Sequence, residues 1–359
     1  MTALGDLRVV HVSPRAGTSG VGDYAEDFCD AVEPHVGELV RVRHGGPGQD
    51  RVLDAWRLRR RLRALVADRA RPTVVHVELS GGSFSPWWAS RRLKDALAVT
   101  ATVHDPPHPV WFPWRTRLVS INWKISHAVH YPTMWLTTWL ERRLTRGQTL
   151  FTLTEAGRRA AADLLPDAHV VGSVLMVPRR PDQPPVATRP RAVGIFGHVY
   201  RHDTVGTLTA VREGLPADVE LIVAGRGTET LPVIDGVRVL GGVEGPAEDA
   251  FFASVRVLLM PYGDRLVYGR PVFPASSVLC RAAAYGTPVV RAGEQSDVDE
   301  PGVRSAPSDP RAVAGVVGAL LDDPDALTSL AEQVLDRRAN DTAEQVVRPF
   351  LAAWSGQAS

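Results

Sequence analysis

Cysteine and lysine are nearly missing from this chain. Cys29 and Cys280 are its only thiols, and their isolation offers neither a metal-ligand spacing nor a disulfide framework. A reducing compartment with two structural thiols is the plain reading. Lys94 and Lys124 are the only lysines, so arginine carries almost all the positive charge. Arginine suits bidentate phosphate contacts, although a GC-rich genome produces the same bias. Net charge is scarce too: 41 basic and 40 acidic residues leave +1, which argues against nucleic acid as a partner. No apolar run approaches membrane-spanning length and no signal peptide precedes Leu7, so the expected location is cytoplasmic, with at most a peripheral membrane contact.

What remains is apolar and long. With 359 residues and 44% hydrophobic content the chain can bury a large core, enough for two domains. Its densest signal is VRVLLMPYGDRLVYGRPVFPASSVLCRAAAYGTPVVRAG, Val255 to Gly293. Apolar runs at Val255–Met260 and Pro288–Val290 bracket a Gly/Pro/Ser-rich loop, Tyr262–Ala275, and a helix of small residues, Ser276–Tyr285. Ligands of open parallel sheets bind beyond the carboxyl ends of the strands, which singles out that loop. Ser276 and Ser277 would cap the helix and leave its first amides for an anion such as phosphate.

The first half repeats the theme. Leu7–Ser13 reads as a buried strand, then comes the loop PRAGTSGVG with Gly17, Gly20 and Gly22, then a helix beginning near Asp23. Glycines allow close backbone approach and a helix N-terminus favours negative charge, although an ordinary strand-to-helix turn looks the same. The glycine spacing matches neither the P-loop nor the dinucleotide fingerprint. Val52–Arg69 reads as a helix with a solvated arginine face, and Thr73–Val77 as a strand. A further strand, Val99–Val103, delivers His104 and Asp105 into TVHDPPHP, where polar work on a substrate is expected; His108 follows. From Trp111 to Arg146, tryptophans such as Trp111 and Trp114 alternate with arginines. Such a segment packs against its own domain, stacks on sugars or lies on a membrane surface; packing ranks first, and a peripheral membrane contact through residues 111–146 stays open.

Val177–Arg191, rich in proline and arginine with no apolar period, reads as a linker. Beyond it strands and helices alternate afresh, through Ala192–Phe196, Val219–Ala224 and Val237–Leu240, to terminal helices at Asp309–Leu321, Pro324–Arg338 and Thr342–Trp354. Two such arrays imply an α/β fold of two Rossmann-like domains facing each other across a cleft.

The succession SPRAGTSGVGDY, TVHD, VELIVAGRG, VRVLGGV, LLMPY, AAAYGTPVV and SDPRAVAGVVGALLDDP, spread from Leu7 to Arg338, resembles the nucleotide-sugar glycosyltransferases of family 4, which have the GT-B fold. The resemblance implies an N-terminal acceptor domain (1–176), a linker (177–191), a C-terminal domain binding the nucleotide sugar (192–338) and a terminal helix (339–359) crossing back to the first domain. It places His104 on the histidine near the donor sugar, with Asp105 orienting the sugar or the acceptor. It places Gly17, Gly20 and Gly22 on the loop that approaches the diphosphate. His108, Trp111 and Trp114 then fall on the acceptor side.

The family's paired glutamates, however, align with Phe273 and Arg281. Its phosphate-binding Arg and Lys align with His198 and Asp203, leaving Arg201 as the nearest cation. His198, Arg201, Arg270, Ser276, Ser277 and Arg281 are the donor-binding candidates, Arg281 being equally readable as an ion-pair partner. The implied activity is retaining transfer of a sugar from a nucleotide diphosphate to a hydroxyl of a saccharide, lipid-linked or secondary-metabolite acceptor, with no cofactor and no metal. A non-catalytic sugar-nucleotide-binding relative and a nucleotide-sugar 2-epimerase are the alternatives, the first supported by the missing acids.

Overall fold

The computed structural model describes residues 3–197, 204–261, 265–267, 269–293 and 300–356. They form two compact units: Met1–Leu175 with Val267–Ala275 and Ala343–Ser359, and Met176–Leu266 with Ser276–Thr342.

In the first unit six parallel strands form one sheet: β1 (Arg8–Pro14), β2 (Glu38–His44), β3 (Thr73–Leu79), β4 (Ala98–Val103), β5 (Thr149–Thr152) and β6 (His169–Gly172), in the order β2-β1-β3-β4-β5-β6. Valine dominates β1 and β3, both buried along their whole length, as parallel strands covered on two faces require. The helices are α1 (Gly20–Val32), α2 (Val52–Ala67), α3 (Phe84–Ala89), α4 (Arg117–Ser120), α5 (Trp123–Leu144) and α6 (Glu155–Leu164). Side-chain oxygens set several of their starts: Ser19 caps α1, Asn122 caps α5 and Thr154 caps α6, each accepting an amide that the helix itself leaves unpaired. The cap at Ser19 starts α1 at Gly20, one turn before the expected Asp23.

The second unit holds another six-stranded parallel sheet. Its strands are β7 (Ala192–Phe196), β8 (Glu220–Ala224), β9 (Val237–Gly241), β10 (Val257–Met260), β13 (Val289–Ala292) and β14 (Val303–Ala306), ordered β14-β13-β10-β7-β8-β9. Between β10 and β13 the chain forms a short ladder of β11 (Arg265–Val267) and β12 (Arg270–Val272), inside the stretch read as pure loop. The helices are α7 (Thr204–Gly214), α8 (Pro246–Ala253), α9 (Ser277–Ala284), α10 (Pro310–Leu321) and α11 (Pro324–Asn340). Part of the expected linker is packed into this unit. Arg189, 3% exposed, donates to the carbonyls of Pro184, Phe252, Val255 and Tyr285 and to Thr287 Oγ1. Burial lowers its guanidinium to about 10.

The last helix, α12 (Ala343–Ser355), belongs to the first unit. Its Phe350 stacks on Phe151 at 3.9 Å between ring centroids, and Trp354 donates from Nε1 to Thr100 Oγ1 at 3.1 Å. Both side chains are buried against Phe28 and His76, so the helix completes this unit's core. Cys29 and Cys280 are buried thiols outside any disulfide, and burial raises the Cys29 thiol to about 11.

Candidate active site

The chain runs from β1 outward to β2 and then returns to the other side of β1 as β3. The switch point of the first sheet is therefore between β1 and β3, where a ligand crevice is expected beyond the carboxyl ends. The glycine loop leaves one of these strands. Glu78 and Leu79 end the other, and β4 delivers His104 one strand further on, its amide bonded to Leu79 O at 2.8 Å.

His104 does not stand alone. Its Nε2 lies 2.6 Å from Glu78 Oε2, while His11 Nε2 holds Oε1 of the same carboxylate at 2.8 Å. His76 Nε2 is 3.4 Å from Oε1 and is bonded, with Nδ1, to Thr102 and Thr100. Glu78, His11 and His76 are fully buried, and the His104 side chain is 10% exposed. Burial would raise the Glu78 carboxyl, but hydrogen bonds from His104, His11 and His76 prevail and hold it well below the usual carboxylate range. The opposite nitrogen of His104, Nδ1, has no hydrogen-bond partner among the described residues, and the edge of Tyr24 packs on the ring at 5.1 Å. A carboxylate fixing one imidazole nitrogen leaves the other able to accept a proton or a hydroxyl hydrogen bond.

His11, His76 and Glu78 have their ligand atoms within 4.8 Å of one another, a grouping of metal-binding type. The hydrogen bonds among them and to Thr100 and Thr102 already use these atoms, so the cluster is built as a proton network.

Glu78 lies one residue beyond the apolar run Thr73–Val77 that the sequence shows as a strand, so the run alone does not point to it. The signal was present: in β3 His76 and Glu78 are two apart and share one face, and the register pairs His76 with His11 and Thr100.

Asp105 stands beside His104. Its Oδ2 accepts the Gly81 amide at 3.0 Å and its carbonyl accepts Trp111 Nε1 at 2.7 Å. Two acceptor-side expectations meet buried groups instead. His108 is enclosed and bonded through Nδ1 to Glu141, and Trp111 is 3% exposed with its ring against His108 at 4.3 Å, which leaves neither ring a face for a ligand. Trp114 packs on Trp88 at 5.4 Å.

In the glycine loop, a Cβ on Gly22 would sit 2.2 Å from Arg15 O, so only glycine lets α1 close against the loop. Gly17 has φ +73°, and its amide donates to Asp23 Oδ1 at 2.7 Å. Gly20 opens the helix with open space around it. The loop thus spends part of its anion-binding capacity on Asp23.

Of the donor candidates, His198 and Arg201 lie outside the described residues. Arg270 is exposed on β12 of the first unit. In the second unit Ser276 caps α9 by accepting from Leu279 N, Ser277 is exposed in its first turn, and Arg281 lies 3.3 Å from Glu248, an ion pair of the kind held open above. Phe273, one of the two positions that the family 4 resemblance aligns with a glutamate, packs with the first unit. Its amide donates to Pro106 O at 2.9 Å and its carbonyl accepts Thr154 Oγ1 at 3.0 Å.

The buried histidines set a pH dependence. Burial lowers His11 and brings His130 to about 4, so both are neutral in the fold while the unfolded chain takes up protons below about pH 6.5. The depressed Glu78 acts in the same direction at lower pH, where its stabilising charge is lost as pH falls through its folded value. The melting temperature is expected to fall steadily from pH 6.5 to 4, and calorimetry across that range checks it; a flat or rising profile contradicts the assignment.

No family model and no curated protein sequence matches the chain. Solved structures do. Sucrose-phosphate synthase from Thermosynechococcus elongatus is similar with a TM-score of 0.62 and 14% identity, over 98% of this chain and 97% of that one. Anabaena Alr3699/HepE in complex with UDP and glucose gives a TM-score of 0.61 and 11% identity, over 97% and 99%. The spinosyn forosaminyltransferase SpnP gives 0.56 and 16%, again over 97% and 99%. At these identities the likeness establishes the fold, that of the GT-B glycosyltransferases, with its two six-stranded parallel sheets.

Proposed function

We propose that this protein transfers a sugar from a nucleotide diphosphate to a hydroxyl acceptor, with His104 at the reacting sugar. The observation that carries the reading is the Glu78–His104 pair, which links β3 at the switch point to the end of β4, 2.6 Å apart with Nδ1 left open, on a GT-B fold. His76, in the core of the same sheet, has both nitrogens bonded, through Thr100 and Thr102, whereas His104 keeps one open beside the loop that follows β4. Structures of this fold include one described as a complex with UDP and glucose and one named as a forosaminyltransferase, which supports a nucleotide-sugar donor.

Following the family 4 resemblance, the transfer proceeds with retention. The acceptor attacks on the face from which the diphosphate departs, a donor phosphate oxygen takes the proton, and His104 contacts the sugar. Charge developing on the diphosphate needs positioned donors, and within the second unit the capped start of α9 is the candidate. The Glu78–His104 pair also favours a second reading. A carboxylate-backed imidazole is the arrangement of a general base, and a base that deprotonates an acceptor on the face opposite the diphosphate inverts the anomeric centre. The anomeric configuration of the product, read by NMR, separates the two.

Donor binding is the first test. Thermal melts with UDP, GDP, ADP and dTDP, with and without their common sugars, are expected to rise for one nucleotide class. Ligand at about a hundred times its dissociation constant adds roughly 2.7 kcal/mol. No shift with any of them supports instead a non-catalytic relative that lost donor binding with the acids replaced by Phe273 and Arg281.

A further inference from the structure

Helix α5 turns large apolar side chains outward. Tyr131 is 68% exposed, Trp135 72%, Trp139 52% and Ile125 48%. Packing within the domain, the first of the three readings of the 111–146 segment, therefore does not hold for these residues. At 100° per residue all four fall within about 120° of the helix circumference, and Lys124, Arg142 and Arg143 fall in the same arc. The only acid in α5 is Glu141, which points inward and is consumed by His108 Nδ1 and the Val110 amide. The outer face is thus aromatic in the middle, basic at both ends and free of negative charge. Arg143 lies 5.7 Å from the Trp139 ring, so cation and aromatic share one surface.

The patch extends beyond α5. Leu118 and Ile121, at and just beyond α4, are 75% and 73% exposed, and the Arg117 amide bonded to Asp50 O at 2.8 Å sets α4 against the turn that opens α2. There Leu53 and Trp56 are 61% and 58% exposed, and Arg60 covers the Trp56 ring at 5.5 Å. Exposed apolar side chains gathered on neighbouring helices mark an interaction site, and tryptophan and tyrosine flanked by arginine are the side chains that settle at the headgroup level of a bilayer. No helix among the described residues is long and apolar enough to cross a membrane, so such a surface would lie along it.

We propose that the outer face of α4 and α5 docks this unit on an anionic lipid surface. The charge selects the occupant: a face with three basic residues and no acid in α5 gains from acidic headgroups, whereas a second copy would set like charges against each other.

Sedimentation with vesicles tests this directly. The full chain is expected to bind phosphatidylcholine vesicles containing phosphatidylglycerol at low salt, and to release them at high salt or when phosphatidylglycerol is omitted. Trp135→Ala with Trp139→Ala should lower binding at least tenfold, and Arg142→Ser and Arg143→Ser about fivefold each. These side chains are solvent-facing, so unchanged melting temperatures identify the loss as one of binding. Absence of binding to acidic vesicles, or undiminished binding by the double tryptophan variant, overturns the proposal. Concentration-dependent dimerisation that the tryptophan variant abolishes, without vesicle binding, assigns the face to a second copy and overturns it equally. Vesicle binding is read without donor or acceptor, so its outcome is separate from that of glycosyl transfer.

Discussion

Replacing His104 by alanine is expected to lower glycosyl transfer at least about tenfold as a lost sugar contact, and by about 10²- to 10⁴-fold where the imidazole is the base, while nucleotide affinity changes little. The ring sits at the end of β4, 10% exposed, one strand from the sheet's switch point, and its task is at the sugar and not at the phosphates. Fold damage should be limited. Glu78 keeps its hydrogen bond from His11, and the loss of one buried charge-assisted bond costs about 1–3 kcal/mol, visible as a lower melting temperature but not as unfolding. Turnover of the nucleotide sugar identified by thermal shift, with titration calorimetry of the nucleotide alone, checks both halves. His104→Gln sharpens the result. Glutamine keeps a donor toward Glu78 and a polar group toward the sugar but cannot take a proton, so activity well above that of the alanine variant favours a sugar contact, and equal loss favours a base. Full activity in His104→Ala removes the histidine from the mechanism.

How much of this was legible depends on what each signal reports. Runs such as RVVHVSP and TVVHVEL become buried parallel strands because valine on both faces leaves them no other environment. Strand β2, ELVRVRH, carries no such signal: it lies at the sheet edge, where Arg41 and Arg43 reach across to Glu26, and its charges interrupt the apolar run. Helix α3, FSPWWA, is too short to show a period. His104 was found because it follows an apolar strand directly, whereas Glu78 was hidden inside one. The orientation of the aromatic segment was beyond composition altogether. Tryptophans at helical spacing look alike whether they face in or out, and here a single inward acid, Glu141, marks which side is buried, together with His130 and Thr137.

Glu78→Gln is the second large effect. Arg43 Nη1 can only donate, and at 3.4 Å it faces His11 Nδ1, so His11 must offer its Nε2 proton to Glu78. A glutamine at position 78 can satisfy that proton with its one carbonyl oxygen. Its amide nitrogen is then turned toward His104 Nε2, and two donors cannot share a hydrogen bond. The conflict resolves at His104, whose Nδ1 is free to take the ring proton. The imidazole then keeps its place but presents Nδ1–H, with no lone pair toward the crevice. The fold should lose about 1–3 kcal/mol, since one charged acceptor becomes neutral with its bonds remade. Transfer is expected to fall at least about tenfold. A fall of about 10²- to 10⁴-fold, with donor KM unchanged, identifies Nδ1 as the proton acceptor of a general base. A loss nearer tenfold fits a sugar hydroxyl that rotates to accept from Nδ1–H. Unchanged turnover in a folded variant makes Glu78 a filler of the core and leaves His104 without a positioning partner.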